Sequence, residues 1–314
     1  MLILDGASEP LGGRPTSLEL ARTPALDKLC ASGALDRLKT IPDGLPVGTE
    51  TAVPGLLGWT PSRRVDRAML EAAAHDVVLA RGDRAWRIDV IDDEGGRARE
   101  PAIGVAATRL RIELDRHQVR RIGAHRLLVT GPPPLRLASR SGLRLWPEGA
   151  LPPRIFDHET VVICAIGAVA GLARLMGASV VIPIGATGWI DSDFAAKATA
   201  ASEAIARGAR QVVIHVGAPD EAAHRLDPTA KIAVLERIDR ELVTSLSEAV
   251  RSADGTLTVL ADHGCDPRTG RHCGDPVPRL VWPVQARQVD ATRRLNERVV
   301  AQLPVALSHA WEAA

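Results

Sequence analysis

The sequence predicts an α/β protein built on a mainly parallel sheet with helices on both faces. Short apolar runs alternate along the chain with longer segments in which apolar residues recur at helical spacing. That alternation is typical of parallel strands joined by helices. The predicted strands are Leu2–Leu4, Leu38–Ile41, Val180–Pro183, Val212–Val216 and Leu257–Ala261. The predicted helices are Pro24–Ser32, Thr160–Met176, Ser192–Ala206 and Thr229–Arg251.

The middle of the chain differs from both ends in composition. It is rich in arginine, and the metal-type clusters of acidic residues and histidines described below fall outside it. Its predicted elements are the strands Ala85–Ile91 and Arg126–Val129 and the helix Ala102–Arg116. We therefore expect a core domain formed by residues 1–62 and 157–314, with residues 63–156 inserted as a small α+β lid domain.

Charge and hydropathy argue against two classes of partner. The 314 residues include 39 basic and 38 acidic side chains, a formal net charge of +1, so no strongly charged field indicates a nucleic acid or a membrane surface. The apolar run 161–173 is too short to span a bilayer, and the chain begins with a predicted strand instead of a basic leader. We expect a cytoplasmic protein that binds neither nucleic acid nor membrane. Oligomeric state is not predicted.

Four cysteines occupy positions 30, 164, 265 and 273 and lack the CxxC spacing of a zinc or redox motif. We interpret them as reduced thiols of a cytosolic protein. Cys265 and Cys273 flank a motif with the character of a metal site, which leaves a cysteine-ligated zinc as an alternative.

That motif, ADHGCDPRTGRHCGDPVP, spans residues 261–278. Asp262 and His263 directly follow a predicted apolar strand, and His272 lies on the next loop. Carboxylates and imidazoles are common ligands of divalent ions. The second histidine indicates a site that holds more than one ion.

Partners for this motif occur elsewhere in the sequence. Asp220 and His224 are four residues apart, so on a helix both side chains face one ion. Asp5 ends the first predicted strand. All of these positions follow strands, at the edge where open α/β sheets place their sites. His215, inside a predicted strand, is expected to be structural.

Thr49 is the candidate nucleophile of such a centre. It follows Pro46 and Gly48 and opens a predicted helix, whose N-terminal end favours an alkoxide or a phosphate. Two ions about 3.5–4 Å apart would activate the hydroxyl and hold the oxygens of an in-line phosphoryl displacement. The alternative is that Thr49 only caps the helix.

These segments together resemble the archaeal-type cofactor-independent phosphoglycerate mutases of the alkaline phosphatase superfamily. The resemblance covers about the first 60 and the last 155 residues well, and the insertion weakly. It is carried by LILDG (2–6), ARTPALDKLCASG (21–33), GTETAVPGLLGWTP (48–61), VVICAIGAVAGLARLMG (161–177), GATG (185–188), PDEAAH (219–224) and ADHG…HCGDPVP.

The resemblance implies two divalent ions, manganese or zinc. One ion would be bound by Asp220, His224 and His272, and the other by Asp5, Thr49, Asp262 and His263. It also implies a phosphomutase that passes phosphate through Thr49 while the lid holds a small phosphorylated or phosphonate acid. The corresponding substrate-binding positions are Arg67, Arg87, His125, Arg126 and His158.

Departures from the family pattern affect the substrate more than the metal ligands. Thr49 stands where the mutases usually have serine, and Glu50 stands where they have aspartate. Trp146–Gly149 replaces an arginine-containing segment, and His158 falls near a family lysine. A metal-dependent phosphatase or phosphonate hydrolase is therefore an alternative to the mutase. A weakened family member that acts as a binding protein is a second alternative, against which the intact metal ligands argue.

Overall fold

The computed structural model describes residues 1–94, 96, 98–138, 141–283 and 293–306. Its strands are β1 (Leu2–Leu4), β2 (Ala34–Leu38), β3 (Arg84–Val90), β4 (Gln118–Arg121), β5 (Arg126–Gly131), β6 (Leu143–Leu145), β7 (Thr160–Ile163), β8 (Ser179–Val181), β9 (Gln211–Val216), β10 (Leu257–Ala261), β11 (Gly264–Asp266), β12 (Arg271–Cys273), β13 (Val277–Trp282) and β14 (Val305–Ala306). Its helices are α1 (Ser17–Leu20), α2 (Pro24–Ser32), α3 (Thr49–Leu56), α4 (Arg67–Ala74), α5 (Ala102–Glu113), α6 (Ala168–Met176), α7 (Phe194–Ala206), α8 (Ala218–His224), α9 (Pro228–Ile238), α10 (Thr244–Ser252) and α11 (Glu297–Val300). A π-helical segment, Asp239–Val243, joins α9 to α10.

The central sheet has the strand order β14-β2-β13-β10-β1-β9-β7-β8. Strands β10, β1, β9, β7 and β8 pair in parallel, whereas β13 runs antiparallel between β10 and β2. All three residues of β1 are buried, because helices cover both faces of a parallel sheet. The predicted α/β class, a mainly parallel sheet between helices, is confirmed.

The two faces of the sheet are covered by connections that run in opposite directions. The chain moves outward from β7 through α6 to β8, then returns through α7 to β9. Because such crossovers are right-handed, α6 and α7 lie on opposite faces. Contacts extend each layer, with α3 and α4 beside α6, and α10 beside α7.

A second sheet, with the order β4-β5-β3-β6, is antiparallel throughout. It has its own apolar core, in which Trp86, Ile88 and Leu127 pack against Ile103 and Leu110 of α5. The small α+β unit expected in the middle of the chain is therefore present.

Helix α4 joins this unit to the central sheet. Leu70 packs within the main core, whereas Ala68 packs with Ala85 and Leu128 of the second sheet. The helix lies so close to α6 that a Cβ atom on Gly171 would be 1.8 Å from the carbonyl oxygen of Leu70. The domain bounds at 62/63 and 156/157 stay a prediction, since α4 contacts both units.

Two predicted elements were wrong in type or position. Thr160–Ile163 is a strand, and the helix begins only at Ala168, after Gly167 turns the chain with a φ of 147°. The run is rich in β-branched residues, and short buried strands cannot be told from helices by apolar periodicity. The strand expected at Leu38–Ile41 is instead Ala34–Leu38, because the chain enters the sheet immediately after Gly33 ends α2.

Two further differences concern the C-terminal third. Strand β13 was not predicted, because its Pro278 lacks an amide donor and is unusual inside a sheet. The helix expected over Thr229–Arg251 is divided by the π-helical segment. There the Asp239 carboxylate accepts hydrogen bonds from the amides of Ala25 and Leu26 at the start of α2. The other predicted elements differ at their ends by three residues or fewer.

Candidate metal centre and substrate cavity

The predicted ligands meet at the carboxyl edge of three adjacent parallel strands. Asp5 follows β1, and Asp262 and His263 follow β10 on one side of it. Asp220 lies on α8, which follows β9 on the other side. Parallel strands end at the same edge of a sheet, so residues far apart in sequence converge there.

One ligand group contains Asp220, His224 and His272. The Asp220 carboxylate lies 3.2 Å from Nε2 of His224 and 3.3 Å from Nε2 of His272. The two Nε2 atoms are 3.0 Å apart. His272 donates from Nδ1 to the carbonyl oxygen of Val47 at 3.2 Å, which turns its Nε2 toward the group. The Cys265 thiol completes this cluster of potential ligands.

A second group contains Asp5, Asp262 and His263, all buried. His263 donates from Nδ1 to the carbonyl oxygen of Gly264 at 3.1 Å, which directs Nε2 to within 3.3 Å of Asp5. The Asp262 Oδ1 atom accepts from the amides of Gly6 and His263 at 3.0 and 2.8 Å.

Gly6 brings the two groups together. It has a φ of 59°, and a Cβ atom there would lie 2.5 Å from Oδ1 of Asp220. A side chain at this position would therefore be strained and would push Asp220 away from the strand that carries Asp5.

The donor set fits divalent cations. Four of the nine buried polar atoms that lack a well-oriented hydrogen bond among the described residues lie here: Asp220 Oδ1, Asp262 Oδ2, His263 Nε2 and His215 Nε2. Buried polar groups are ordinarily satisfied, and charged ones are paired or bound to metals. Two groups of carboxylates and imidazoles with open acceptor atoms thus provide the chemistry that a pair of cations requires.

The protonation of the site reflects the crowding of its carboxylates. Burial and the charges of Asp262 and Asp220 raise the pKa of Asp5 well above its usual range. Burial acts against ionisation of Asp220 as well, but contacts with His224 and His272 outweigh it and hold its pKa well below the usual range. Burial alone would lower the pKa of His263, whereas Asp262 and Asp5 raise it to about 10. Without an ion, a proton on His263 offsets part of the charge of the neighbouring carboxylates.

Thr49 is brought to the second group as the first residue of α3. Its hydroxyl donates to the two oxygens of Asp5 at 3.2 and 3.3 Å. Gly48 occupies the N-cap position of this helix, and the Thr49 hydroxyl points to Asp5. Thr49 is therefore not the N-cap residue of α3, and its hydroxyl is directed to the second ligand group.

Three arginines surround one buried carboxylate above Thr49. Glu71 is 0% exposed, and its Oε1 atom lies 3.4 Å from Arg67, 3.3 Å from Arg87 and 3.4 Å from Arg126. Arg67 also forms an ion pair with Glu50 at 2.9 Å. The buried Nε of Arg126 has no hydrogen-bond partner among the described residues. Its side chain lines the cavities beside Thr49, where a guanidinium can meet an anion.

Arg87 is held more tightly than the other two arginines. Its guanidinium makes a two-pronged contact with Asp89 at 3.0 and 3.2 Å and lies 4.4 Å from the ring centre of Trp146. Trp146 also donates to Asp89 at 2.8 Å. The departure from the family pattern at Trp146 therefore replaces a cationic segment with a clamp on Arg87.

A cavity of about 890 Å³ joins these elements. It is lined by Thr49, by four of the metal-type residues and by the predicted substrate contacts. These are Asp5, Asp220, His224 and His272, and Arg67, Arg87, His125 and Arg126. Arg67, Arg126 and Thr49 also line an adjoining space of about 170 Å³ that reaches Trp189 and His215. A cavity with carboxylates at one end and guanidiniums at the other suits a phosphorylated acid.

His158 is the predicted contact that the structure does not bring to this cavity. It is exposed and lies two residues before β7, at the amino end of that strand. The candidate centre is at the carboxyl ends of the parallel strands, on the opposite edge of the sheet. A match of residue order near an insertion does not fix which edge the residue occupies.

Sequence reasoning missed several residues of the site. His215, expected to be structural, points from β9 to within 3.4 Å of Asp5 and lines the smaller space. Burial lowers its pKa to about 4, so it is neutral at pH 7. Its position near the carboxyl end of a strand was the available signal. Glu71 carried no local signal, because its role depends on arginines brought from other elements.

Comparisons with known proteins agree with this architecture. A family model for the metalloenzyme superfamily matches residues 1–303, and the chain belongs to that family. A protein of Methanosarcina acetivorans named 2,3-bisphosphoglycerate-independent phosphoglycerate mutase is 27% identical over 96% of this chain and 94% of its own. One of the same name from Methanothrix thermoacetophila is 29% identical over 87% and 86%.

Solved structures show the same fold. A Pyrococcus horikoshii protein superposes with a TM-score of 0.76 and 26% identity, covering 95% of this chain and 88% of its own. The cofactor-independent phosphoglycerate mutase of Thermoplasma acidophilum superposes with a TM-score of 0.56 and 16% identity, covering 98% and 96%. The resemblance to the cofactor-independent mutases expected from the sequence is confirmed. Among the described helices, none combines the length and apolar character needed to cross a membrane.

Proposed function

We propose that this chain is a two-metal phosphomutase that moves a phosphoryl group on a small phosphorylated or phosphonate acid through a phospho-threonine at Thr49. The observation that carries the proposal is the position of the Thr49 hydroxyl. It contacts Asp5 at 3.2 Å, in a cavity that is also lined by the first ligand group and by Arg67, Arg87 and Arg126. Relatives named as phosphoglycerate mutases support the mutase type.

The residues fit two divalent ions, manganese or zinc. Asp220, His224 and His272 would hold one, and a second would be held by the set Asp5, Thr49, Asp262 and His263. When bound, such ions lower the pKa of a hydroxyl and neutralise the charge on a transferring phosphoryl group. In the chain itself, Asp5 orients the Thr49 hydroxyl, and the start of α3 directs amide dipoles toward an incoming anion.

The arginines would orient the substrate. Arg126, with its unpartnered Nε, and Arg67, beside Thr49 in both spaces, would hold the phosphoryl or carboxylate oxygens. Arg87 and His125 line the larger cavity but not the smaller space that contains Thr49, and they would contact the distal part of the substrate. A lid that covers the phospho-threonine excludes water, so the group returns to the substrate instead of being hydrolysed.

The test is phosphorus NMR on purified protein loaded with manganese or zinc. The panel contains phosphorylated three-carbon acids, phosphonates and an aryl phosphate. Movement of the phosphoryl group between oxygens without free phosphate supports the mutase. Free phosphate from simple esters would replace this proposal with the phosphatase alternative. Cleavage of a carbon–phosphorus bond would replace it with the phosphonate hydrolase.

The third possibility, a binding protein without catalysis, predicts a different result. Such a protein would fail to retain stoichiometric divalent ions after reconstitution and would turn over no member of the panel. Metal analysis of the purified protein separates the alternatives. The intact ligand groups favour retention of ions, because their carboxylate, imidazole and thiol atoms converge within 4.8 Å of one another in each group.

A further inference from the structure

The two-stranded ribbon β11–β12 places its two cysteines on opposite faces. Cys265 pairs directly with His272, and Gly264 pairs with Cys273. Residues directly opposite in an antiparallel pair project to the same face, and successive residues alternate. Cys265 therefore shares a face with the candidate ligand His272. Cys273 covers the other face, where a Cβ on Gly264 would lie 2.2 Å from its Sγ.

The Cys265 thiol lies within the first ligand group. Its Sγ and the ligand atoms of Asp220, His224 and His272 all lie within 4.8 Å of one another. Cys265 is 0% exposed. Oδ1 of Asp220 is buried beside it without a hydrogen bond of good geometry, and the Nε2 atoms of the two histidines converge to 3.0 Å. Four potential ligand atoms thus face one another.

The backbone around Cys265 is fixed from behind. Its amide donates to the carbonyl oxygen of Ser8 at 2.8 Å, and its carbonyl oxygen accepts from the buried Lys231 ammonium at 2.7 Å. Lys231 is itself paired with Glu9 at 3.1 Å. Ligand positions held by a rigid backbone cost little reorganisation when an ion binds.

We propose that Cys265 is a fourth protein ligand of the ion held by Asp220, His224 and His272. This inference rests on the proposed two-metal centre. Binding replaces the S–H bond with a sulfur–metal bond, and the thiol proton leaves to solvent. The first site then offers one carboxylate, two imidazoles and one thiolate, and a position for a substrate oxygen requires the ion to take a fifth ligand. Such a set selects zinc or cobalt over manganese, because thiolate is a soft ligand.

The second site differs in ligand chemistry. Its set of Asp5, Thr49, Asp262 and His263 is rich in oxygen, which suits manganese or magnesium as well as zinc. The inference therefore assigns different metal preferences to the two halves of the centre. When zinc and manganese are both supplied, the structure predicts zinc at the first site.

The experiment is absorption spectroscopy of the protein reconstituted with cobalt(II) alone. Wild type is expected to show a thiolate-to-cobalt charge-transfer band in the near ultraviolet besides the visible ligand-field bands. Cys265→Ser is expected to lose the charge-transfer band and to bind zinc at least about tenfold more weakly. Cys273→Ser is the matched control, because Cys273 lies on the same ribbon with its side chain on the opposite face. This variant is expected to keep the charge-transfer band and the zinc affinity of wild type.

The outcomes separate this inference from the proposed function. Ligand-field bands without a charge-transfer band in wild type would overturn the role of Cys265 and leave the two-metal centre intact. Failure to bind any cobalt would overturn the centre itself. Loss of the band in Cys273→Ser but not in Cys265→Ser would show that Cys273 is the thiolate ligand and would overturn the proposal.

A second measurement needs no variant and so remains decisive if Cys265→Ser fails to fold. X-ray absorption of the zinc-loaded wild-type protein is expected to show a sulfur neighbour at about 2.3 Å from the zinc ions in the first site. A spectrum explained by nitrogen and oxygen neighbours alone would contradict the proposal.

Discussion

The hydroxyl of Thr49 donates a hydrogen bond to the carboxylate of Asp5 at 3.2 Å, although 44 positions separate the two residues. Asp5 directly follows a buried strand of the central sheet, and Thr49 begins helix α3. The contact orients an otherwise ordinary hydroxyl toward the candidate metal centre. The proposed chemistry depends on this pair.

Removing the hydroxyl tests the nucleophile assignment. Thr49→Val keeps the β-branched shape at the start of α3 but cannot accept a phosphoryl group. We expect a loss of turnover of about 10³-fold or more, measured with the substrate identified by phosphorus NMR. Thr49→Ser is the matched control and is expected to keep most of the activity. A Thr49→Val enzyme with turnover close to wild type would eliminate Thr49 as nucleophile.

Metal binding is expected to depend steeply on pH. The pKa of His263 is raised to about 10 in the metal-free protein, yet a ligand imidazole must be neutral. At pH 7, binding therefore releases at least one proton, and affinity rises with pH up to about 10. Each released proton changes affinity about tenfold per pH unit.

Calorimetric titration of the metal in buffers of different ionisation enthalpy measures this release. The slope of the binding enthalpy against the buffer enthalpy gives the number of protons. His263→Gln is expected to release about one proton fewer. Equal heats in all buffers would show that His263 is already neutral before the ion binds.

The buried carboxylate of Glu71 is expected to be essential to the stability of the arginine cluster. Glu71→Gln keeps the volume but removes the charge that faces Arg67, Arg87 and Arg126. Breaking a buried ion pair leaves uncompensated charge, and we expect the free energy of unfolding to fall by about 3 kcal/mol.

Denaturant unfolding provides the measurement for Glu71→Gln. The control is Glu203→Gln, which breaks an exposed pair with Arg207 and is expected to change stability by less than about 0.5 kcal/mol. Equal effects of the two substitutions would mean that Glu71 does not organise the cluster.

The close approach of α4 and α6 predicts opposite effects on stability for alanine substitutions at two glycines, Gly171 and Gly104. A Cβ on Gly171 would lie 1.8 Å from the carbonyl oxygen of Leu70, so Gly171→Ala is expected to destabilise by about 2 kcal/mol or more. At the exposed Gly104 in α5, the nearest atom to an added Cβ is a Glu100 carboxylate oxygen at 3.4 Å.

Gly104→Ala is therefore expected to raise stability by about 0.5 kcal/mol through helix propensity. Thermal unfolding of the two variants compares packing with propensity. If Gly171→Ala is as stable as wild type, α4 is free to move away from α6, and its link between the two sheets is looser than the structure indicates.

Much of the fold could be read from local patterns. The helix Pro24–Ser32 and the strands Leu2–Leu4 and Leu257–Ala261 were predicted with their observed bounds. The strand Thr160–Ile163 was not predicted, because apolar periodicity does not distinguish a short buried strand from a turn of buried helix. Strand β13 was obscured by Pro278, which pairs with Arg37 of β2 and lies just beyond the residues of β13 that pair with β10.

The candidate site divides in the same way. Asp5, Asp220 and Asp262 could be identified from the sequence, because each carboxylate comes soon after an apolar run that predicts a strand. His158 was predicted to contact the substrate and His215 was predicted to be structural, and the structure places both differently. Position along the chain does not determine at which edge of the sheet a side chain lies.

The sequence by itself determined the α/β class, the family resemblance and the ligand types at the strand ends, since each of these is written in local spacing and residue chemistry. Only the tertiary structure decided that His215 lies beside Asp5, that Glu71 contacts three arginines, and that Cys265 and not Cys273 faces the first ligand group. The reason is physical. Those relations depend on strand order, on ribbon register and on helix packing, which bring together atoms separated by tens to hundreds of residues.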